Sequence, residues 1–155
     1  MLEDVKSGGV HIAKNFVICI NDNCTTDDHF RYTPLICAAK YGHVEVVRVL
    51  LEGGVKVEGS DAIRSTALHY AAMYGHLEVC RLLLDRGAKV DSVNWWKETP
   101  LHCAARNGHL LVVKLLVERG ADVRLKNEFH QTGEEAARTR EKKGVAEWLD
   151  SVSRG

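Results

Sequence analysis

The stretch TPLHCAARNGHLLVVKLLVERGADV, residues 99–123, decides the fold, because its first half recurs along the chain. TPLICAA begins at Thr33, TALHYAA at Thr66 and a degenerate TGEEAAR at Thr132, so each start lies 33 residues after the one before. The second half recurs with it, as YGHVEVVRVLLEGG from Tyr41 and again one period later. A fixed period of this length predicts a stack of similar structural units.

Each period predicts two short helices. Thr33 is a good helix N-cap, and Pro34 follows at the position where a missing N–H costs nothing. Gly42 interrupts this first helix, and a second helix follows with one apolar stripe, formed by Val44, Val47, Leu50 and Leu51. The glycines that fit a left-handed residue at the end of each second helix are Gly54, Gly87 and Gly120.

Two short helices cannot bury their apolar stripes alone, so successive units must stack. Stacking predicts an internal column of Leu50, Leu83 and Leu116, and pairs of small alanines let neighbouring helices approach closely. We therefore expect one domain over residues 1–155. Its predicted parts are an N-terminal half repeat, 1–27, three full repeats, 28–60, 61–93 and 94–126, and a C-terminal cap, 127–155.

Composition is that of a globular protein, with 45% apolar and 27% charged residues among 155. Lys plus Arg and Asp plus Glu balance at 21 each, so no global field draws the chain to nucleic acid or an anionic membrane. The N-terminus is acidic, and no apolar run is long enough for a signal or a membrane span. Five cysteines without a CxxC pair predict free thiols. We expect a cytoplasmic or nuclear protein.

The joint motif of TPLHxAA, GHLEVVRLLL and a 33-residue period closely resembles ankyrin repeats. The resemblance implies an all-α solenoid of stacked helix-turn-helix units with hairpin loops, whose arms and first helices form a concave face that binds proteins. It implies no shared catalytic activity and no cofactor. The chain departs from the family where hairpin tips usually carry glycine, at Arg31, Arg64, Lys97 and His130, and Ala67 replaces proline.

Under that alignment, the columns flanking each TPLH string face the concave side. They hold His29, Phe30, Tyr32, Lys40, Tyr41, Ile63, Ser65, Met73, Tyr74, Trp95, Trp96, Glu98, Arg106 and Asn107. Seven of the ten aromatic residues fall in these columns when Phe129 is counted, and aromatic rings anchor interfaces. We expect an aromatic binding strip centred on Trp95 and Trp96. The alternative is that some rings, such as Tyr41 and Tyr74, pack on neighbouring hairpins and stiffen the arms.

The four tip residues Arg31, Arg64, Lys97 and His130 form one basic column, which would favour an acidic peptide as the partner. Exposed charges are more often only solvated, and the carboxylates of Asp28 and Asp61, three residues before their tips, would offset the column.

Other chemistries find little support in the sequence. The histidines recur with the repeat, at His43, His76 and His109 and within the TPLH string, which favours a structural role over a metal site. No common catalytic motif occurs. Two alternatives to protein binding stay open. One is nucleotide or oligonucleotide binding by Trp95 and Trp96 with Lys97 and Arg106 at phosphate, and the other is a structural spacer. We expect a monomer in isolation.

Overall fold

The computed structural model describes residues 29–155, and within them eight helices form two rows. The first row contains α1 Pro34–Lys40, α3 Ala67–Met73, α5 Pro100–Arg106 and α7 Gly133–Thr139. The second row contains α2 Val44–Glu52, α4 Leu77–Asp85, α6 Leu110–Glu118 and α8 Lys143–Arg154. Each helix packs on its partner in the same repeat and on its neighbours in the same row. The predicted all-α repeat solenoid is confirmed, while the half repeat 1–27 and Asp28 lie outside the described residues.

Threonine caps begin the first-row helices, as the sequence predicts. Thr33 is extended, and its Oγ1 accepts a hydrogen bond from the Ile36 N–H at 3.1 Å. Thr66 and Thr99 add a second bond, because Nδ1 of the histidine three residues on accepts from the threonine N–H. Thr132 makes the same reciprocal box with Glu135. The cap satisfies donors that the first turn leaves free, so α3 begins correctly although Ala67 replaces proline.

Left-handed glycines end three of the second-row helices, α2, α4 and α6. Gly54 has φ of +89°, and the two bonds that close α2 run from Val55 N–H to the Leu50 carbonyl, at 3.2 Å, and from Gly54 N–H to the Leu51 carbonyl, at 3.1 Å. This is the Schellman pattern. Gly87 and Gly120 have φ of +91° and +95°, which confirms the predicted role of the column.

The core is a set of columns that run through the stack. Leu50, Leu83 and Leu116 are all buried, as predicted, and so are the paired alanines of the first-row helices. The second-helix stripe differs in detail from the expectation, because Val46 is buried while Val44 and Leu51 are only half-buried. Packing from both the first row and the adjacent repeat widens the buried face of each second helix.

Histidines tie consecutive repeats together. The His76 Nε2 atom is 3.0 Å from the Lys40 carbonyl oxygen. The same ring packs against Gly42, where an added Cβ would lie only 2.7 Å from the His76 Nδ1 atom. His109 repeats the arrangement against the Met73 carbonyl, at 2.9 Å. These bonds confirm the prediction that His76 and His109 have a structural role.

The C-terminal cap buries Val145 and Leu149. Cys80 and Cys103 are buried free thiols, and burial raises the pKa of each to about 12. Cys37 is also buried but is disulfide-bonded, so the expectation of a free thiol is wrong at that position.

Candidate functional site

The hairpin arms are held by side-chain acceptors at their base. Asp61 is buried, and its Oδ1 accepts hydrogen bonds from the N–H groups of Ile63, at 3.0 Å, and Ser65, at 2.8 Å. Asn94 and Asn127, each 33 residues further on, accept the equivalent two bonds at 2.9 to 3.1 Å. Sequence reasoning missed this column, although its period of 33 residues was readable. The arms are therefore fixed turns rather than loose loops.

The arm tips are left-handed at residues other than glycine. The φ values are +52° at Arg31, +64° at Arg64, +56° at Lys97 and +61° at His130. These are the positions where the sequence departs from the family pattern, and the backbone keeps the conformation that glycine would adopt. Each tip bears a cost of about 1 kcal/mol for an L-residue in this region. All four side chains are exposed, so the predicted basic column faces water.

Backbone hydrogen bonds join each arm to the next. The Ala62 N–H donates to the Phe30 carbonyl at 2.8 Å, and the Trp95 N–H donates to the Ile63 carbonyl at 3.1 Å. The Trp96 carbonyl accepts from Glu128 N–H at 2.8 Å. The arms consequently form one row, along which the residues before the tips are all apolar, namely Phe30, Ile63, Trp96 and Phe129.

The largest exposed rings lie in the last two arms. Trp95 is 61% exposed, Trp96 38% and Phe129 65%. Tyr41 and Tyr74, at the ends of α1 and α3, are exposed by 41% and 48%. Both indoles are exposed to solvent, and a role in the binding strip requires this exposure.

The first described arm is different, because its rings pack on one another. Phe30 and Tyr32 stack with centroids 5.7 Å apart, and Tyr32 meets Tyr70 edge-on at 5.5 Å. The Lys40 Nζ lies 4.7 Å from the Tyr32 ring centroid. In this arm Phe30 and Tyr32 pack on neighbouring rings, which fits the alternative that such rings stiffen the arms. The Tyr70 hydroxyl donates to Asp61 Oδ2 at 2.6 Å, and burial together with this bond raises its pKa.

Two expectations about polar groups, those for Ser65 and Glu98, are wrong. Asp61 does not pair with the Arg64 side chain, because its two carboxylate oxygens are occupied by the arm amides and Tyr70. Ser65 and Glu98 were expected on the concave surface, yet both are buried. They directly precede a threonine cap, where the arm turns back into the stack. The Glu98 carboxylate binds the Arg106 guanidinium, so Arg106 is engaged within its own repeat.

The remaining predicted positions are all at least partly exposed. His29 lies in the turn of the first described arm, Met73 is the last residue of α3, and Asn107 caps α5. The Asn107 Nδ2 donates to the Cys103 carbonyl at 2.8 Å. The predicted set thus divides between arm tips and the C-terminal ends of the first-row helices.

One cavity lies where these two parts meet, between the last arm and the ends of α5 and α7. We call it the cap pocket. It has a volume of about 280 Å³, and its walls include Glu98, Arg106, Phe129, Gln131, Thr139 and Arg140. Sequence reasoning named Glu98, Arg106 and Phe129 but missed the other lining residues of the degenerate last unit, Gln131, Ala136, Thr139 and Arg140. Their contribution depends on contacts between repeats rather than on a motif.

Among residues 29–155, no three side chains of histidine, cysteine, aspartate or glutamate group in a way that would hold a metal ion. No helix in that range is long and apolar enough to cross a membrane.

Comparison with known families identifies a matching family model. A family model described as ankyrin repeats (3 copies) matches residues 3–94 and 64–127. A search of curated proteins finds no match.

Proposed function

This chain belongs to the ankyrin-repeat family, and from that premise we propose that it is a non-enzymatic module that binds a partner protein or peptide on its concave face. Ankyrin repeats are generally protein–protein interaction modules. The proposed surface, the arm face, consists of the arm tips and the C-terminal ends of the first-row helices. Localisation in the cytoplasm or nucleus and a monomeric state stay predictions.

The observation that carries the proposal is the exposure of large rings on a fixed backbone turn. Trp95 and Trp96 stand on an arm whose turn is fixed by Asn94 and joined by backbone bonds to the arms on both sides. Large apolar rings in water favour a partner that covers them, and a backbone that is already fixed loses little further entropy on binding. Aromatic residues of this kind are typical interface anchors.

The basic tips support an acidic partner. Arg31, Arg64 and Lys97 are exposed, and no ion pair engages any of them within residues 29–155. A row of unpaired cations beside apolar side chains favours a chain segment that alternates acidic and apolar residues. Binding of such a segment would weaken as salt screens the charges.

The hypothesis of nucleotide or oligonucleotide binding predicts two phosphate contacts, and one of them is already occupied within the molecule. That hypothesis needs Arg106 at a phosphate, but its guanidinium binds the Glu98 carboxylate. Breaking the pair would leave a buried carboxylate unpaired, which is costly. Protein binding is therefore the proposal that we pursue.

The experiment uses the chain as bait and compares Trp95→Ala/Trp96→Ala with Leu111→Ala. Leu111 is a matched control because it is 65% exposed but lies on α6, in the other helix row. We expect a partner, once identified and titrated, to bind the double variant more than about 30-fold more weakly and the control unchanged. Melting temperatures of both variants should stay close to that of the natural chain.

Equal affinity for the natural chain and the double variant would contradict the proposed centre. A binding partner insensitive to every arm-face substitution would favour the structural spacer. Strong, salt-sensitive tryptophan quenching by a short single-stranded oligonucleotide would favour the nucleic-acid alternative instead.

A further inference from the structure

The cap pocket carries an unbalanced positive charge. Two guanidinium groups and one carboxylate line it. The Glu98 side chain is 7% exposed and binds Arg106, so these two charges cancel. The Arg140 side chain makes no ion pair or hydrogen bond with any residue that the structure describes, while its N–H closes α7. One cation therefore remains available to a ligand.

Of the acids that flank Arg140, Glu141 is exposed and does not line the cavity, and the two on α7 are engaged elsewhere. Glu134 binds Arg138 at 2.7 Å, and Glu135 accepts the Thr132 N–H at 2.7 Å as part of the helix cap. Glu98 is therefore the one carboxylate among the residues that line the cavity, and it is already paired with Arg106.

The rest of the wall is part apolar and part fixed polar. Phe129 is 65% exposed, and Ala136 contributes a buried methyl group. The Gln131 Nε2 donates to the Thr139 Oγ1 at 3.1 Å, so this side of the wall is already ordered. A ligand with a carboxylate next to an apolar group matches both parts.

The volume of the cap pocket bears on whether its ligand is a peptide side chain or a small molecule. The volume of about 280 Å³ lies just below the range of about 300–1,000 Å³ that is usual for cofactor and metabolite sites. Phe129, a residue of the last arm, lines the pocket and is 65% exposed, so a chain bound along the arm face would reach it. These features favour one or two side chains of a peptide.

We propose that the cap pocket binds an acidic side chain of the partner peptide, with its carboxylate on Arg140 and the neighbouring apolar residue against Phe129. This inference rests on the proposed function, because it names what one end of the arm face would recognise. A guanidinium and a carboxylate can form two parallel hydrogen bonds, which would fix the position of the peptide along the row of arms.

The test uses a defined probe, the blocked tetrapeptide acetyl-Ala-Phe-Glu-Ala-amide, and its analogue with Gln in place of Glu. Both are titrated into the isotope-labelled chain, and amide and side-chain NMR shifts are followed. We expect saturable shifts at Phe129, Gln131 and Arg140 with the Glu peptide and about tenfold weaker binding of the Gln peptide. Arg140→Gln should weaken the Glu peptide by the same factor and leave the Gln peptide unchanged.

The control is Arg124→Gln, which removes one exposed positive charge outside the pocket. Equal loss of affinity in both variants would indicate a general charge effect and overturn the proposal. Equal binding of the two peptides, no saturable shift at the pocket, or stronger saturation of the same signals by inorganic phosphate would overturn it as well.

The two proposals fail in different ways. If a partner loses affinity on Trp95→Ala/Trp96→Ala but not on Arg140→Gln, and the tetrapeptide gives no pocket shifts, the arm face stands and the pocket assignment is wrong. If the tetrapeptide binds as expected but no partner responds to the tryptophan variant, the pocket stands and the proposed centre is wrong.

Discussion

The Nε2 atom of His69 lies 2.9 Å from the backbone carbonyl oxygen of Glu98, 29 residues further along the chain. On the other side of the ring, Nδ1 accepts the Thr66 N–H at 3.1 Å, so the proton resides on Nε2 and the ring is neutral. His102 makes the equivalent bonds to Thr99 and to the Gln131 carbonyl, at 3.1 and 2.9 Å. One imidazole thus caps its own helix and holds the next arm.

This arrangement predicts a loss of stability at mildly acidic pH. Burial lowers the pKa of both His69 and His102 below the ordinary value of 6.5. The unfolded chain therefore binds protons that the folded chain does not, and the free energy of unfolding falls as pH drops below about 6.5. Urea unfolding at pH 7.5, 6.0 and 5.0 measures the decrease.

The variant His69→Gln/His102→Gln should lose about 1–3 kcal/mol per site at pH 7.5, since buried hydrogen bonds are left unmade. Its stability should fall less with decreasing pH than that of the natural chain. His130→Gln, at an exposed arm tip, should keep the natural pH dependence. An unchanged pH dependence in the double variant would show that other groups cause the acid sensitivity.

Substitutions at two left-handed glycines can separate the cost of backbone strain from the cost of a steric clash. Gly75 has φ of +73°, and a Cβ there would lie 2.5 Å from His109 Nδ1, whereas Gly87 has φ of +91° with nothing within 4 Å. Gly87→Ala should cost about 1–2 kcal/mol from backbone strain alone. Gly75→Ala should cost about 1–2 kcal/mol more, because the ring must move and lose its bond to Met73.

Chemical unfolding of the two variants gives the comparison directly. In an His109→Ala background, the penalty for Gly75→Ala should shrink toward that for Gly87→Ala. Equal costs in the natural background would mean that the histidine shifts freely and does not clamp the repeats.

At the basic arm tips, the left-handed backbone should lower the free energy of unfolding, while the charged side chain favours an acidic partner. Lys97 has φ of +56°, so Lys97→Gly removes strain of about 1 kcal/mol, partly offset by the greater freedom of glycine in the unfolded chain. We expect a net gain of about 0.5 kcal/mol in the free energy of unfolding and weaker binding of an acidic partner. Denaturant titration and affinity measurements on the same protein check both.

Lys126→Gly is the matched control, because Lys126 is exposed in the next connector, between α6 and α7, but is not left-handed. It should lose stability, by about 0.5–1 kcal/mol, for the same change in charge. A loss at Lys97 as large as that at Lys126 would contradict the strain argument.

Local patterns account for what sequence reasoning predicted correctly. Caps at Thr33, Thr66 and Thr99, left-handed residues at Gly54 and its equivalents, and the buried leucine column all follow from short-range backbone chemistry repeated with a fixed period. The choice of partner-binding residues stays a prediction, because exposure alone does not identify an interface.

The prediction of surface residues failed at the column that holds Ser65 and Glu98. Ser65 and Glu98 were placed on the surface because neighbouring columns are variable, but the arm turns inward at that point and buries both. The pairing of Arg86 with Glu52 and of Arg119 with Asp85, each across consecutive repeats, was missed for a similar reason. Spacing within one helix says nothing about which acid the next repeat brings near.

The sequence by itself determined the repeat unit, the order of its helices and the glycines that end them, because hydrogen bonds between residues a few positions apart dictate these features. Only the tertiary structure decided that Arg140 and Phe129 line one cavity, that Glu98 pairs with Arg106, and that His69 holds the following arm. Those relationships depend on how repeats stack, and stacking brings together side chains that no local pattern links.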